Sequence, residues 1–203
     1  SQLVFAHPSE LVAYAILGPL CGLFSILLYY CFRTVENRPL LKTLPRWLAP
    51  ALGGLGVGIV GCFLPQVMAG HYQFIQHAMD GTLFARPEGV ENSWWEWAAL
   101  FGLVAVFKCV ATGLTVGSGE SGGALGPTVF IGGAVGAFLG AAIQAAAPEG
   151  FGPAEMEALR RSLIPVGMAG VLAASMRTPM AAIVMVSEMT GGYGLIVPLM
   201  LVC

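Results

Sequence analysis

GSGESGGALGP, residues 117–127, leads into TVFIGGAVGAFLGAAIQAAA, residues 128–147, and the whole stretch carries one charge, Glu120. Proline is accepted in the first turn of a helix but not in its interior, and the residues after Pro127 stay apolar to Ala147, so a membrane helix is expected to start near Ala124 or Leu125. The first amides of a helix have no partner within it, and the aligned peptide dipoles place about half a positive charge at that end. Glycines let a backbone approach a guest closely, and free N–H groups expected at Gly123, Ala124 and Leu125 are of the kind that receive an anion. No Lys or Arg stands between Gly117 and Pro127. A full positive charge in a low-dielectric site would hold a halide too tightly for it to leave, whereas amides hold it weakly enough to let it pass. The competing reading is structural: a run of small residues lets membrane helices pack closely, the role expected of Gly132, Gly133, Gly136 and Gly140 downstream. Composition leaves both open.

The rest of the chain fits a membrane setting. Of 203 residues, 57% are hydrophobic and 10% charged, well below the roughly 25% charged content of soluble domains. Nine Lys and Arg against eleven Asp and Glu give a net charge of -2, and no basic block exists to neutralise a nucleic-acid backbone, so nucleic acid is not expected as a partner. A bilayer core about 30 Å thick takes about 20 apolar residues of helix. Residues 11–32, 47–70 and 121–148 are uncharged, and 97–119 contains only Lys108. Shorter apolar runs follow at 162–176, 178–190 and 195–203, broken by Arg177 and by the pair Gly191 and Gly192. Helices too short to cross unaided need neighbouring protein over their ends, which points to an all-α membrane bundle of tilted and broken helices. The sequence opens at Ser1 without an initiator Met or a signal peptide and stops at Cys203 inside a hydrophobic run, so it reads as a piece of a larger transporter-sized protein, truncated at both ends.

Loop charges give an orientation. Arg33, Arg38, Lys42 and Arg46 face one acid, Glu36, in residues 33–46, whereas Arg86 stands against Asp80, Glu88, Glu91 and Glu96 in residues 80–96. The first loop is expected in the cytoplasm and the second outside, with Trp94, Trp95 and Trp97 at the outer interface and residues 149–161 forming a further outer loop if the spans alternate.

Other chemistries find little support. Gly117, Gly119 and Gly122 spell GxGxxG, but that dinucleotide fingerprint needs a preceding strand and an acid about 20 residues on; a membrane span precedes it, and the next acid after Glu120 is Glu149. No GKS or GKT marks a P-loop. Cys21, Cys31, Cys62, Cys109 and Cys203 are scattered singly and read as small hydrophobes, and His71 and His77 are six apart, off the spacing of a helical metal pair. No metal, cofactor or covalent catalysis is expected. Lys108, well inside a span, reads as a structural ion pair or a snorkelling side chain ahead of a functional group. Glu188 is expected to bond neighbouring backbone or a cation, in a helix capped by Thr178 and started by Pro179, and Arg177 to anchor the end of the preceding helix.

GSGESGGALGPTVFIGGAVGAFLG resembles the third anion-pathway motif of the CLC chloride channels and chloride/proton antiporters, a GSGxSGG-type lead into GxFxP at a helix start. GMAGVLAASMRTPMAAIVMVSEMTGGYGLIVPLMLVC, residues 167–203, is similar to the run of helices near the end of that family's membrane domain, including its AAS.R.P step and EMT segment. Order and spacing extend the resemblance over residues 1–203, as the carboxyl-terminal half of the domain and the second of its two inverted repeats. The resemblance implies a multi-pass protein of a bacterial inner membrane, homodimeric with one pore per subunit, that is no enzyme and transports chloride without a cofactor. It places the coordinating amides at Ala124 and Leu125, within a site that also takes in Gly117, Ser118, Gly119, Ser121, Gly122, Gly123 and Pro127. It also implies that residues 11–32, 179–189 and 195–203 face a second subunit.

The match departs from the family pattern in places. Leu125 stands where the motif usually has Phe, and Gly126 where it usually has a small Ala; backbone coordination survives such swaps, while pore width and ion choice are open to change. Glu120 beside an anion path faces away, is protonated, or contributes to gating or proton movement. The family's pore serine, gating glutamate and late tyrosine fall outside residues 1–203, so channel and antiporter stay open. The alternative function is a non-transporting Gly-rich membrane module or an incomplete half pore.

Overall fold

Away from water, an apolar run can satisfy its amides and carbonyls only along its own axis, and the runs read from the sequence are helical. A computed structural model describes residues 10–37, 48–68, 72–80, 94–119, 122–146, 152–191 and 193–203. In chain order the helices are α1 (Glu10–Glu36), α2 (Leu48–Phe63), α3 (Tyr72–Asp80), α4 (Trp94–Gly117), α5 (Leu125–Ala146), α6 (Pro153–Met176), α7 (Pro179–Thr190) and α8 (Ile196–Val202). Short 3₁₀ turns at Pro65–Val67 and Tyr193–Leu195 follow α2 and precede α8. No strand occurs among the described residues. α1, α4 and α5 are long and apolar enough to cross a membrane, and α2 and α7 are shorter apolar helices. The protein is an all-α membrane bundle.

Arg38, Lys42, Arg46, His71, Arg86, Glu88 and Glu91 lie outside the described residues. Trp94 begins α4, and Trp95 is exposed beside it.

The expected loop at residues 149–161 needs correction. Helix α6 starts at Pro153 and runs through Glu155, Glu157, Arg160 and Arg161 without a break. Pro153 suits the first helical position, and the Gly152 amide donates to Glu155 Oε2 at 3.3 Å. Arg161 pairs with Glu157 one turn earlier and donates to the Asp80 carbonyl at 3.1 Å, tying α6 to the end of α3. Arg160 lies inward instead, its guanidinium 5.0 Å from the Trp94 ring centre and its stem over Gly140. Charges that resemble a loop in one dimension are the amphipathic first turns of a helix.

The core runs along α5, which packs on α4 and most extensively on α6. α5 and α6 are antiparallel and touch backbone to backbone. A Cβ on Gly132 would fall 2.6 Å from Met168 Cα, and one on Gly136 would fall 2.7 Å from the Leu163 carbonyl carbon. Gly167 answers from α6, where a Cβ would lie 3.1 Å from Gly136 N. Such contact is the means by which membrane helices gain dispersion energy when no water drives them together. The opposite face of α6 meets α1 and α8: Gly170 backs onto Cys21 and Val202, and Tyr14 Oη and Ser162 Oγ share a buried hydrogen bond of 2.8 Å.

A methyl group added at the seam must displace backbone, at a cost of about 1–3 kcal/mol or more. Gly136→Ala in the full-length protein is therefore expected to lower the melting temperature in detergent, whereas Gly58→Ala, whose added carbon meets nothing within 4 Å, leaves it unchanged or slightly raised. Equal melting temperatures for the two variants would contradict this packing.

Candidate anion site at the start of α5

The glycine-rich stretch divides into two parts with different surroundings. Gly117 closes α4 against α1, where a Cβ would sit 2.8 Å from Val35 Cβ and 3.3 Å from the Phe32 carbonyl oxygen. Ser118 is buried; its hydroxyl donates to the Thr115 carbonyl at 2.9 Å, and a Cβ on Gly53 of α2 would come within 2.6 Å of its Cβ. These two positions clamp the end of α4 between α1 and α2. Gly119 then turns the chain with φ +91°, a conformation that a side chain rarely adopts. Glu120 and Ser121 lie outside the described residues.

At Gly119, Gly122 and Gly123 the glycines serve no close packing contact. A Cβ on Gly119 or Gly123 would meet nothing within 4 Å, and one on Gly122 would make an ordinary contact at 3.5 Å with Thr115. Gly122 and Gly123 are exposed and Ala124 is half-buried. Close helix packing therefore accounts for Gly117 and leaves Gly123 unexplained; an open backbone accounts for Gly123.

α5 begins at Leu125, as the sequence predicts. The first amide bond of the helix runs from Thr128 N to the Ala124 carbonyl at 3.1 Å, and the Thr128 hydroxyl donates to the Leu125 carbonyl at 2.8 Å. Pro127 has no N–H to offer. No acceptor among the described residues takes the amide hydrogens of Gly123, Ala124, Leu125 or Gly126. Four consecutive N–H groups thus stand at the positive end of a 22-residue apolar helix, beside an open loop. Leu125 leaves its own side chain 46% exposed, so the residue contributes backbone more than packing there.

Comparison with known proteins decides the family. The family model for voltage gated chloride channels matches residues 2–203. The chain belongs to this family. It is 34% identical to a putative chloride channel protein ClcB-like of Ralstonia nicotianae, over 98% of this chain and 42% of that protein. It is 32% identical to chloride channel protein CLC-e of Arabidopsis thaliana, over 97% of this chain and 28% of that protein. The voltage-gated ClC-type chloride channel ClcB of Escherichia coli is 33% identical over 95% of this chain and 41% of its own length. The chain spans well under half the length of these relatives.

Lys108 supports the chloride-channel fold in a way that its sequence position does not reveal. It is 8% exposed in mid-helix, yet it neither pairs with a carboxylate among the described residues nor reaches for the surface. Its ammonium donates to the Val67 carbonyl at 2.6 Å and sits 5.0 Å from the Phe130 ring centre. One side chain thereby ties α4 to the turn after α2 and to the second turn of α5. Glu188, expected to bond backbone or a cation, is instead exposed on α7 with no partner among the described residues, because Ser187 takes the inward position and bonds the Val184 carbonyl at 2.9 Å. The Thr178 carbonyl accepts from Ala182 N at 3.0 Å, but its hydroxyl makes no capping bond. Arg177 ends α6 in the left-handed region, at φ 56° and ψ 34°.

Removing the Lys108 ammonium leaves the Val67 carbonyl without its donor, a loss of about 1–3 kcal/mol to the turn it holds. In Lys108→Met, amide hydrogen exchange at Val67 and Met68 is expected to rise about tenfold while the α5–α6 seam keeps its protection. Unchanged exchange at the turn would show that the lysine does not hold it.

Proposed function

We propose that this chain forms the second inverted half of a CLC-type membrane domain that moves chloride or a similar small anion across a bacterial inner membrane. The anion is held at the start of α5 by the amides of Ala124 and Leu125. The observation that carries this reading is the set of four consecutive amide hydrogens, residues 123–126, without acceptors among the described residues. The relatives' names, all chloride channels, support the choice of ion. In this mechanism an anion exchanges part of its water shell for peptide N–H groups, and the helix dipole offsets the cost of dehydration. No bond is made or broken and no cofactor takes part. Leu125 narrows or widens the path by its side chain without altering the donor set.

The same proposal gives the protein a second copy. Large apolar side chains stand exposed on α1 (Val12, Ile16, Leu23), α7 (Met180, Val184, Met189) and α8 (Val197, Met200), and a homodimer embedded in lipid covers such faces. A non-transporting helical module is the second reading, favoured by the tight packing of Gly117 and Ser118.

The test uses the full-length protein in liposomes, with chloride efflux measured in the presence and absence of a pH gradient. Leu125→Pro removes one amide at the first helical position, where proline is tolerated, and is expected to keep the fold and lower flux about tenfold or more. Leu125→Ala keeps the amide and is expected to retain flux within a few fold. Flux unchanged by the proline, or absent from the unmodified protein under either gradient, would overturn the proposal.

A further inference from the structure

A cavity of about 370 Å³ opens between residues 25–32 of α1 and the end of α6. Its polar lining is Ser25, Tyr29, Ser175 and Arg177, and Leu28 and Phe32 form part of its apolar wall. No carboxylate lines it among the described residues. Arg33 stands beside it, donating from Nη1 to Tyr29 Oη at 2.7 Å with its guanidinium 5.9 Å from the Tyr29 ring centre, so the phenol hydrogen is left to point elsewhere. Neither the Arg177 guanidinium nor the Ser25 hydroxyl has a hydrogen-bond or ion-pair partner among the described residues. Arg177 is also the sole non-glycine residue with positive φ among the described residues, a conformation that places its side chain at the cavity.

We propose that this cavity binds the headgroup of an anionic phospholipid. One cation, Arg177, and three hydroxyl groups line a space of headgroup size, with Arg33 held beside it by Tyr29 and no acid among the described lining residues, which is the chemistry that recognises a phosphodiester. The choice of a lipid over a free anion follows from the approach. Ile26, which lines the cavity, and Tyr30 one turn on stand exposed on α1, an apolar track that suits an acyl chain and not a hydrated ion. The position agrees as well: the cavity lies at the end of α1 where the basic stretch 33–46 begins, the side that loop charge assigns to the cytoplasm, and basic pockets between membrane helices on that side suit acidic headgroups.

Native mass spectrometry of the full-length protein tests this, with phosphatidylglycerol and phosphatidylcholine as probes. The unmodified protein is expected to retain phosphatidylglycerol about tenfold more tightly than phosphatidylcholine, a difference of about 1.4 kcal/mol. Arg177→Gln removes the unpartnered cation, and Ser25→Leu fills the cavity from α1 while leaving Arg177 in place; each is expected to bring the preference within about twofold. Because the second variant does not touch Arg177, a folding failure of the first still leaves a decisive result. A preference retained in either folded variant would overturn the proposal, as would displacement of the lipid by inorganic phosphate at equal concentration, which would show a free-anion site instead.

Discussion

The backbones of α5 and α6 lie directly on one another, and this contact sets the direction of every element around the candidate anion site. Gly132 and Gly136 face Gly167 and Leu163 with no room for a side-chain carbon between them. The helices are antiparallel, so the start of α5 is carried to the end of α6 and to the end of α1, where Gly117 and Ser118 clamp the close of α4. The amides at the head of α5 are aimed by packing that lies several turns away.

That division of labour explains why one short motif holds residues of two kinds. Gly117 is small because α1 presses on it, whereas Gly123 has open space where a side chain would stand. A full cation is present nearby in Lys108, but it is committed to the Val67 carbonyl and the Phe130 ring. The donors left over at the head of α5 are peptide groups with partial charge, suited to an ion that must both arrive and depart.

Much of the architecture was legible from charge-free length alone. α1 and α5 fall where uncharged runs of about 20 residues predict them, α4 where a run broken only by Lys108 does, and Pro127 marks the start of α5 to within a residue. The start of α6 was not legible, because Glu155, Glu157, Arg160 and Arg161 suggest a loop until Trp94, Asp80 and Gly140 supply inward and sideways partners from distant parts of the chain. Lys108 was recognised as unusual, but its acceptor lies 41 residues away in a turn that no local pattern connects to it. Glu188 lacks the expected backbone or cation partner among the described residues because Ser187 takes the inward side of α7 and leaves the acid outside. The two roles of the glycines were likewise inseparable in sequence, since spacing says nothing of what stands opposite each one.

The most direct measurement is bromide anomalous diffraction from crystals of the full-length protein. A bromide peak within hydrogen-bond reach of both the Ala124 and Leu125 nitrogens is the predicted result. Crystals that diffract well, hold bromide elsewhere and show those two nitrogens bonded to protein carbonyls, with no peak at the head of α5, would contradict it.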